Sequence, residues 1–366
     1  MEKSNPIVNK LEGLGKSMVK DIEQSESPKF ETALRSRGNV LYDENFHYIR
    51  LGDKKETRTF LNVAQARKFM QTVAVASKCK KFLKENLHTS IRGLFYQLKF
   101  TLGEEIEEEL FEEQEESNPL VEDLEVALNI KREDLNLSTD RKGVVAGAMV
   151  LRDKFGGEET EIDCSKQGRS GWMIPSDVDN GMDFVSVDAE FVLVVEKDAL
   201  WQRLNEDKFW KKENCILITP KGQASRGCRR LIRKLASKKL PVIVFTDCDA
   251  WGWYIYWTIK AGSMNLAYLA SDIATPEAKF VGVTMKDIED YEFLGKLTIR
   301  AKDIDIKRAE EMLSYPWIST HKEWVEELKV VLATRKKLEQ DALQGPKLTF
   351  VGEYLREKLE KKKFLP

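Results

Sequence analysis

The stretch "VFTDCDAWGWYI", residues 244–255, ends an apolar run in two aspartates one residue apart, then turns through Gly252 into aromatics. Two readings fit it. Asp247 can cap a helix while Asp249 is solvated, or the two carboxylates can hold a cation. A third acid, Glu196, closes the similar run "EFVLVVEK" (190–197). Side chains alternate along an extended chain, so Asp247 and Asp249 point the same way. Three carboxylates on one edge repel one another unless a cation neutralises them. Oxygen donors without His or Cys favour magnesium, a hard ion that keeps several waters and often bridges to phosphate.

A second candidate lies in "IRGLFYQLK" (91–99). Ile91, Leu94, Phe95 and Leu98 follow the i, i+3, i+4, i+7 spacing of a single helical stripe. At roughly 100° per residue, Tyr96 falls about 150° from the middle of that stripe and faces away from the helix's own core side. Arg92 is one turn earlier on the same flank, and Lys99 is nearby. A tyrosine in this position can simply pack on another domain. It can also be a nucleophile, because a phenol attacks a phosphodiester when its ordinary pKa, about 10, is offset by positive charge. Arg92 brings such charge and a planar fork for phosphate oxygens. Magnesium stabilises the charge that builds on the phosphate. Tyrosine and acids together are equipment for breaking DNA by transesterification, with the bond stored as a phosphotyrosine.

These groups need elements to position them. "NVAQARKFMQTVAVASKCKKFLKENL" (62–87) is a long helix that Asn62 can cap. After the short turn "HTS", Thr89 or Ser90 caps a second helix from Ile91, and so tight a pair suggests a helix-turn-helix. "GVVAGAMVLRD" then opens a strand-like region that runs to "GWMIPSD". From residue 190, "EFVLVVEK", "CILITPKG" and "PVIVFTDCD" read as buried strands, with the helices "DALWQRLNEDKFWKKE" and "SRGCRRLIRKLASKK" between them. Short apolar strands alternating with helices imply a parallel α/β sheet covered on both faces. Ligands of such sheets sit at the carboxyl ends of the strands, where Glu196, Asp247 and Asp249 fall. Residues 1–30 read as an amphipathic arm carrying Val8, Leu11, Leu14, Met18 and Ile22, and the stretch from about 290 as mainly helical.

Composition narrows the classes. At 366 residues, 42% hydrophobic and 33% charged, the chain has ample core for two or three domains. No apolar run is long enough for a membrane span, and the N-terminus lacks a secretory h-region. Five scattered cysteines without a C-x-x-C pair fit a reducing cytosol and argue against a zinc site or a disulfide framework. The three histidines are far apart, which disfavours a His-based triad. Net charge is −2, but acids crowd into "EEIEEELFEEQEE" (104–116) and bases into 225–239. Each run reads first as a solvated helix face. The basic one, with Arg226, Arg229 and Arg230, can also bind phosphate, as can Lys99.

With these residues in place, the sequence resembles a known family, the A subunits of archaeal DNA topoisomerase VI, relatives of the meiotic transesterase that initiates recombination. "RGNVLYDENFHYIRLGDKKETRTFLN", "SIRGLFY", "LVVEKDALWQRL" and "TDCDAWG" carry the resemblance, which covers most of the chain. It implies a multidomain α/β plus α+β protein, with a winged-helix (catabolite-activator-like) domain followed by a Toprim domain built on a Rossmann-like parallel sheet. The expected division is 1–65 arm and linker, 66–165 winged helix, and 166–366 Toprim with a helical extension. Tyr96 aligns with the family's nucleophile and Arg92 with its arginine. Glu196, Asp247 and Asp249 align with the Toprim acids that bind Mg2+. The implied partners are duplex DNA, a second copy of the chain in a homodimer, and an ATPase B subunit in an A2B2 heterotetramer. ATP belongs to B, since this chain has no G-x-x-x-x-G-K-[ST] loop. The expected location is cytoplasmic and nucleoid-associated, with no membrane. Gly93 stands where the family commonly has an acid and leaves that helix position weaker, while Ala224 and Ala250 replace prolines usual at turns; none of the three removes an oxygen ligand or the nucleophile. The competing readings are a meiotic-type break-maker, a Toprim nuclease or primase without a covalent intermediate, and a non-catalytic DNA scaffold.

Overall fold

The structure is a computed structural model describing residues 5–101, 108–139 and 141–366. It divides into two compact units, residues 1–40 with 51–140, and residues 41–50 with 141–366.

The first unit is mainly helical. Helix Pro6–Glu23 starts with Pro6 just after the Asn5 cap, which accepts from the Ile7 N–H. Its residues Leu11 and Met18 are buried, so the amphipathic arm packs into this unit's core beside helix Val63–Glu85. That long helix is capped by Asn62 as its sequence implies. Helix Ile91–Leu98 follows after Thr89–Ser90, with the Ser90 Oγ accepting from the Gly93 N–H at 3.0 Å. All four residues of its apolar stripe are buried. Gly93 is used here: a Cβ would come within 2.2 Å of the Thr89 Oγ1.

The acidic run is not one solvated helix. Residues 104–107 lie outside the described residues, while Leu110 and Phe111 plug the core. The surrounding acids face the unit's own cations: Glu109 pairs with Lys99, and Glu108 and Glu112 pair with Arg67. Two apolar residues inside the acidic run decided its course, because burying them outweighs keeping a regular helix in water.

The second unit is built on a six-stranded sheet in the order Trp172–Met173, Val144–Gly147, Cys215–Thr219, Phe191–Val195, Val242–Phe245, Lys279–Gly282. The last four are parallel, as the alternation of strands and helices implies. The first two join antiparallel, so the sheet is mixed rather than wholly parallel. They come from the Gly-containing segment before residue 190, where Gly147 has a positive φ and a Cβ on it would lie 2.6 Å from the Cys215 carbonyl oxygen. The Phe191 strand is central. The chain leaves it first towards Cys215 on one side and returns to Val242 on the other, which creates a switch point between Phe191–Val195 and Val242–Phe245. Among the described residues, no helix is long and apolar enough to cross a membrane.

A buried acid gives this unit a pH dependence. Glu327, 9% exposed on helix Lys322–Thr334, accepts from the Met285 N–H at the start of helix Met285–Asp290. A helix N-terminus normally favours a carboxylate, but burial wins and pushes Glu327 up to about 7. Between its ordinary value and about 7, the folded chain holds a proton that the unfolded chain has released. Stability from this group is therefore full below the ordinary carboxylate range and lost as pH rises through about 7. Glu327→Gln keeps the acceptor without the charge. It should leave the melting temperature near wild type at pH 5 and raise it at pH 8, by roughly 2–3 kcal/mol of stability. An unchanged difference between the two pH values would remove Glu327 as the cause.

Candidate functional site

Glu196 and Asp247 meet at the switch point because their strands are hydrogen-bonded neighbours. Val195 registers with Phe245, and the Glu196 N–H donates to the Phe245 carbonyl at 3.0 Å. One step further, the Asp247 N–H donates to the Glu196 Oε2 at 3.0 Å. Asp247 Oδ1 accepts from the Gln340 N–H at 2.7 Å, and its Oδ2 lies 3.1 Å from the Lys197 Nζ. Burial, and then the neighbouring Asp247 charge, pushes the Glu196 carboxyl up to about 8. Asp247 rises too, through burial, against the pull of the Gln340 N–H and the Lys197 ammonium. Two acids held this close in a buried site repel, and a cation between them would relieve it.

It is Asp249, not Asp247, that caps the following helix Ala250–Lys260, its Oδ1 accepting from the Trp251 and Gly252 N–H groups at 3.0 and 2.8 Å. Its Oδ2 lies 3.3 Å from the Lys337 Nζ. Neither aspartate is a solvated surface acid. Among the described residues, no three His, Cys, Asp or Glu side chains form a ready metal cluster. Glu196 and Asp247 are joined directly, and Asp249, whose Oδ1 is taken up by the cap, still acts on both through its charge. An all-oxygen pair still suits magnesium, which takes one or two carboxylates and keeps water for the rest.

The tight turn at the site has a steric requirement. A Cβ on Gly252 would lie 2.6 Å from the Asp247 carbonyl oxygen and 2.9 Å from its nitrogen. Gly252→Ala should therefore push the Asp247 backbone aside and cost about 1–3 kcal/mol, read as a lower melting temperature. An unaltered melt would show that the turn relaxes freely.

Sequence reasoning missed the neighbours that complete this site. Segment 336–341 passes beside it, with Cys248 and Leu338 exchanging both backbone hydrogen bonds in an antiparallel bridge. It brings Glu339 and Asp341 to Lys197, and Lys337 to Asp249. A partial signal existed in "KKLEQDA": Lys337 and Glu339 flank the apolar Leu338 as in an extended chain, whereas Asp341 already lies in the 3-10 turn Gln340–Gln344.

In the first unit, Tyr96 stands 62% exposed on the flank of helix Ile91–Leu98 opposite its buried stripe. Its ring meets Phe95 edge-on at 5.2 Å. Arg92, one turn earlier, is also exposed and lines a pocket of about 430 Å³ with Ser90, Asn118, Arg132 and Ser138. Lys99 is 3.1 Å from Glu109.

The basic helix Arg226–Ser237 does not present a row of cations for phosphate. Arg229 is 3% exposed, burial lowers its pKa to about 10, and its Nη1 donates inward to the Thr258 carbonyl. Arg230 grips Asp179 with its Nε, and Arg226 donates to the Tyr268 hydroxyl at 2.7 Å. The helix is covered on more than one side, so its arginines are structural ties.

Three family models match the chain. They describe a type IIB DNA topoisomerase over residues 67–137, the all-beta domain of the DNA topoisomerase VI alpha chain over 142–188, and the Toprim domain shared by topoisomerase 6 A subunits and Spo11 over 191–359. Relatives named as the A subunits of type 2 DNA topoisomerase 6 are similar over nearly full length. That of Pyrococcus abyssi is 44% identical over 98% of this chain and 95% of its own. That of Aeropyrum pernix is 40% identical over 94% and 91%. The Methanothermobacter thermautotrophicus protein is 36% identical over 98% and 99%. With two compact units, a Toprim sheet and this likeness along its length, the chain belongs to the A-subunit family of type IIB DNA topoisomerases.

Proposed function

We propose that this chain cleaves and rejoins duplex DNA through a transient phosphotyrosine at Tyr96, as the A subunit of a topoisomerase VI. The observation that carries the reading is the exposed Tyr96 on a helix whose own apolar stripe is fully buried. The Tyr96 Oη attacks a backbone phosphorus; an O–P bond to tyrosine forms as the O–P bond to one deoxyribose breaks. The phenolic proton leaves, and the departing deoxyribose oxygen gains one. The reverse exchange reseals the strand. Arg92, on the preceding turn, holds phosphate oxygens with its planar fork. The helix pair around Tyr96 serves as a winged-helix DNA-binding domain.

Glu196 and Asp247, with Asp249 beside them, hold Mg2+. When bound, that ion supplies positive charge to offset the charge building on the phosphate. The chain works as a homodimer with an ATPase B subunit that uses the ATP, in the cytoplasm on the nucleoid. The test is a covalent-linkage assay: the chain, a purified B-type ATPase, Mg2+, ATP and end-labelled duplex DNA, trapped with detergent. The expected result is a protein–DNA adduct whose modified peptide contains Tyr96. An adduct on another residue, or none under conditions that support DNA binding, defeats the reading.

A further inference from the structure

We propose that Lys197 and Lys337 are internal counter-ions of the carboxylate site, competing with a divalent cation for Asp247 and Asp249 and so setting how tightly it is held. The inference rests on reading those acids as cation ligands and adds what tunes them. The Lys197 Nζ lies 3.1 Å from Asp247 Oδ2, 3.1 Å from Glu339 Oε2 and 2.6 Å from Asp341 Oδ2. The Lys337 Nζ lies 3.3 Å from Asp249 Oδ2 and 3.2 Å from Asp305 Oδ2. Each ammonium therefore touches one ligand acid and at least one acid outside the ligand set. Both side chains are mostly covered, 24% and 16% exposed, so these charges are only partly screened by water.

The arrangement has a direction. A divalent cation taking Asp247 sets two positive charges against that of Lys197, which weakens the binding. Glu339 and Asp341 act the other way: they give the ammonium a place to stay and draw it from Asp247. Removing a lysine should tighten cation binding, whereas removing its outer acids should loosen it. A lysine that merely braces the fold predicts no tightening.

The experiment uses the full chain, stripped with chelator and titrated with Mn2+, with free Mn2+ read by paramagnetic resonance. Lys197→Met should bind Mn2+ about tenfold more tightly than wild type, from unit charges a few ångströms apart. Lys197→Arg, which keeps the charge, should stay close to wild type. The Glu339→Gln/Asp341→Asn pair should bind several-fold more weakly, and most of that loss should vanish when Lys197→Met is added. Lys337→Met is a second, independent variant and should also tighten binding. If both methionine variants keep wild-type circular dichroism and bind Mn2+ equally or more weakly, the counter-ion role is overturned. The control is Glu196→Gln/Asp247→Asn. If it abolishes binding while the lysine variants shift nothing, only the counter-ion role falls. If it binds as wild type does, the ligand reading fails and takes this inference with it.

Discussion

Tyr96→Phe is expected to abolish covalent attachment to DNA while leaving the fold and DNA binding near wild type. The change removes one oxygen and keeps the ring that meets Phe95 at 5.2 Å. At a site 62% exposed, the cost in stability should be under about 0.5 kcal/mol. Its neighbours on that flank of the helix cannot replace it: Arg92 and Lys99 carry charge without an attacking oxygen. Adducts at wild-type yield from the phenylalanine variant would sink the assignment of the nucleophile, whatever happened to supercoil relaxation.

Replacing Glu196 or Asp247 by alanine should slow cleavage by on the order of a hundredfold or more, the scale expected when charge stabilisation at a reacting phosphate is lost. Raising the magnesium concentration should recover part of the rate. Asp247 needs a second variant, because its carboxylate also accepts from the Gln340 N–H and pairs with Lys197. Alanine there leaves a buried donor without its acceptor, at about 1–3 kcal/mol. Asp247→Asn keeps an acceptor and lowers the charge, so a slow asparagine variant with an ordinary melt separates chemistry from folding. A variant with unchanged rate and unchanged magnesium dependence would show that its carboxylate serves only the structure.

How far could this be read from sequence? The local pieces were legible. Ser90 before Ile91, the stripe of Ile91, Leu94, Phe95 and Leu98, and Tyr96 opposite it all obey helix periodicity, and the structure has them so. The strands ending at Val195 and Phe245 were equally plain, since continuous apolar runs of that length have few alternatives. What escaped depends on distant chain. Lys197 meets Glu339 and Asp341 across 142 and 144 positions, and no local pattern encodes that meeting. The identity of the capping aspartate turned on two residues of chain at the strand end, since the helix starts at Ala250. Arg229 misled for a related reason: a helix covered on two sides hides arginines that the pattern of one stripe leaves in water. Leu110 and Phe111 were visible inside the acidic run but outnumbered by its charges, although they govern where it goes.

The strand that completes the carboxylate site arrives late in the chain. Asp247 takes its hydrogen bond from a backbone group 93 residues downstream, and Cys248 pairs with Leu338. During synthesis, which proceeds from the N-terminus, Tyr96 is made and its helix can pack long before Gln340 exists. A ribosome-bound chain, or one broken off before residue 340, carries the tyrosine but lacks the segment that orients Asp247. A half-made chain therefore holds the Tyr96 helix without the backbone donor that orients Asp247, an order of assembly set by topology alone.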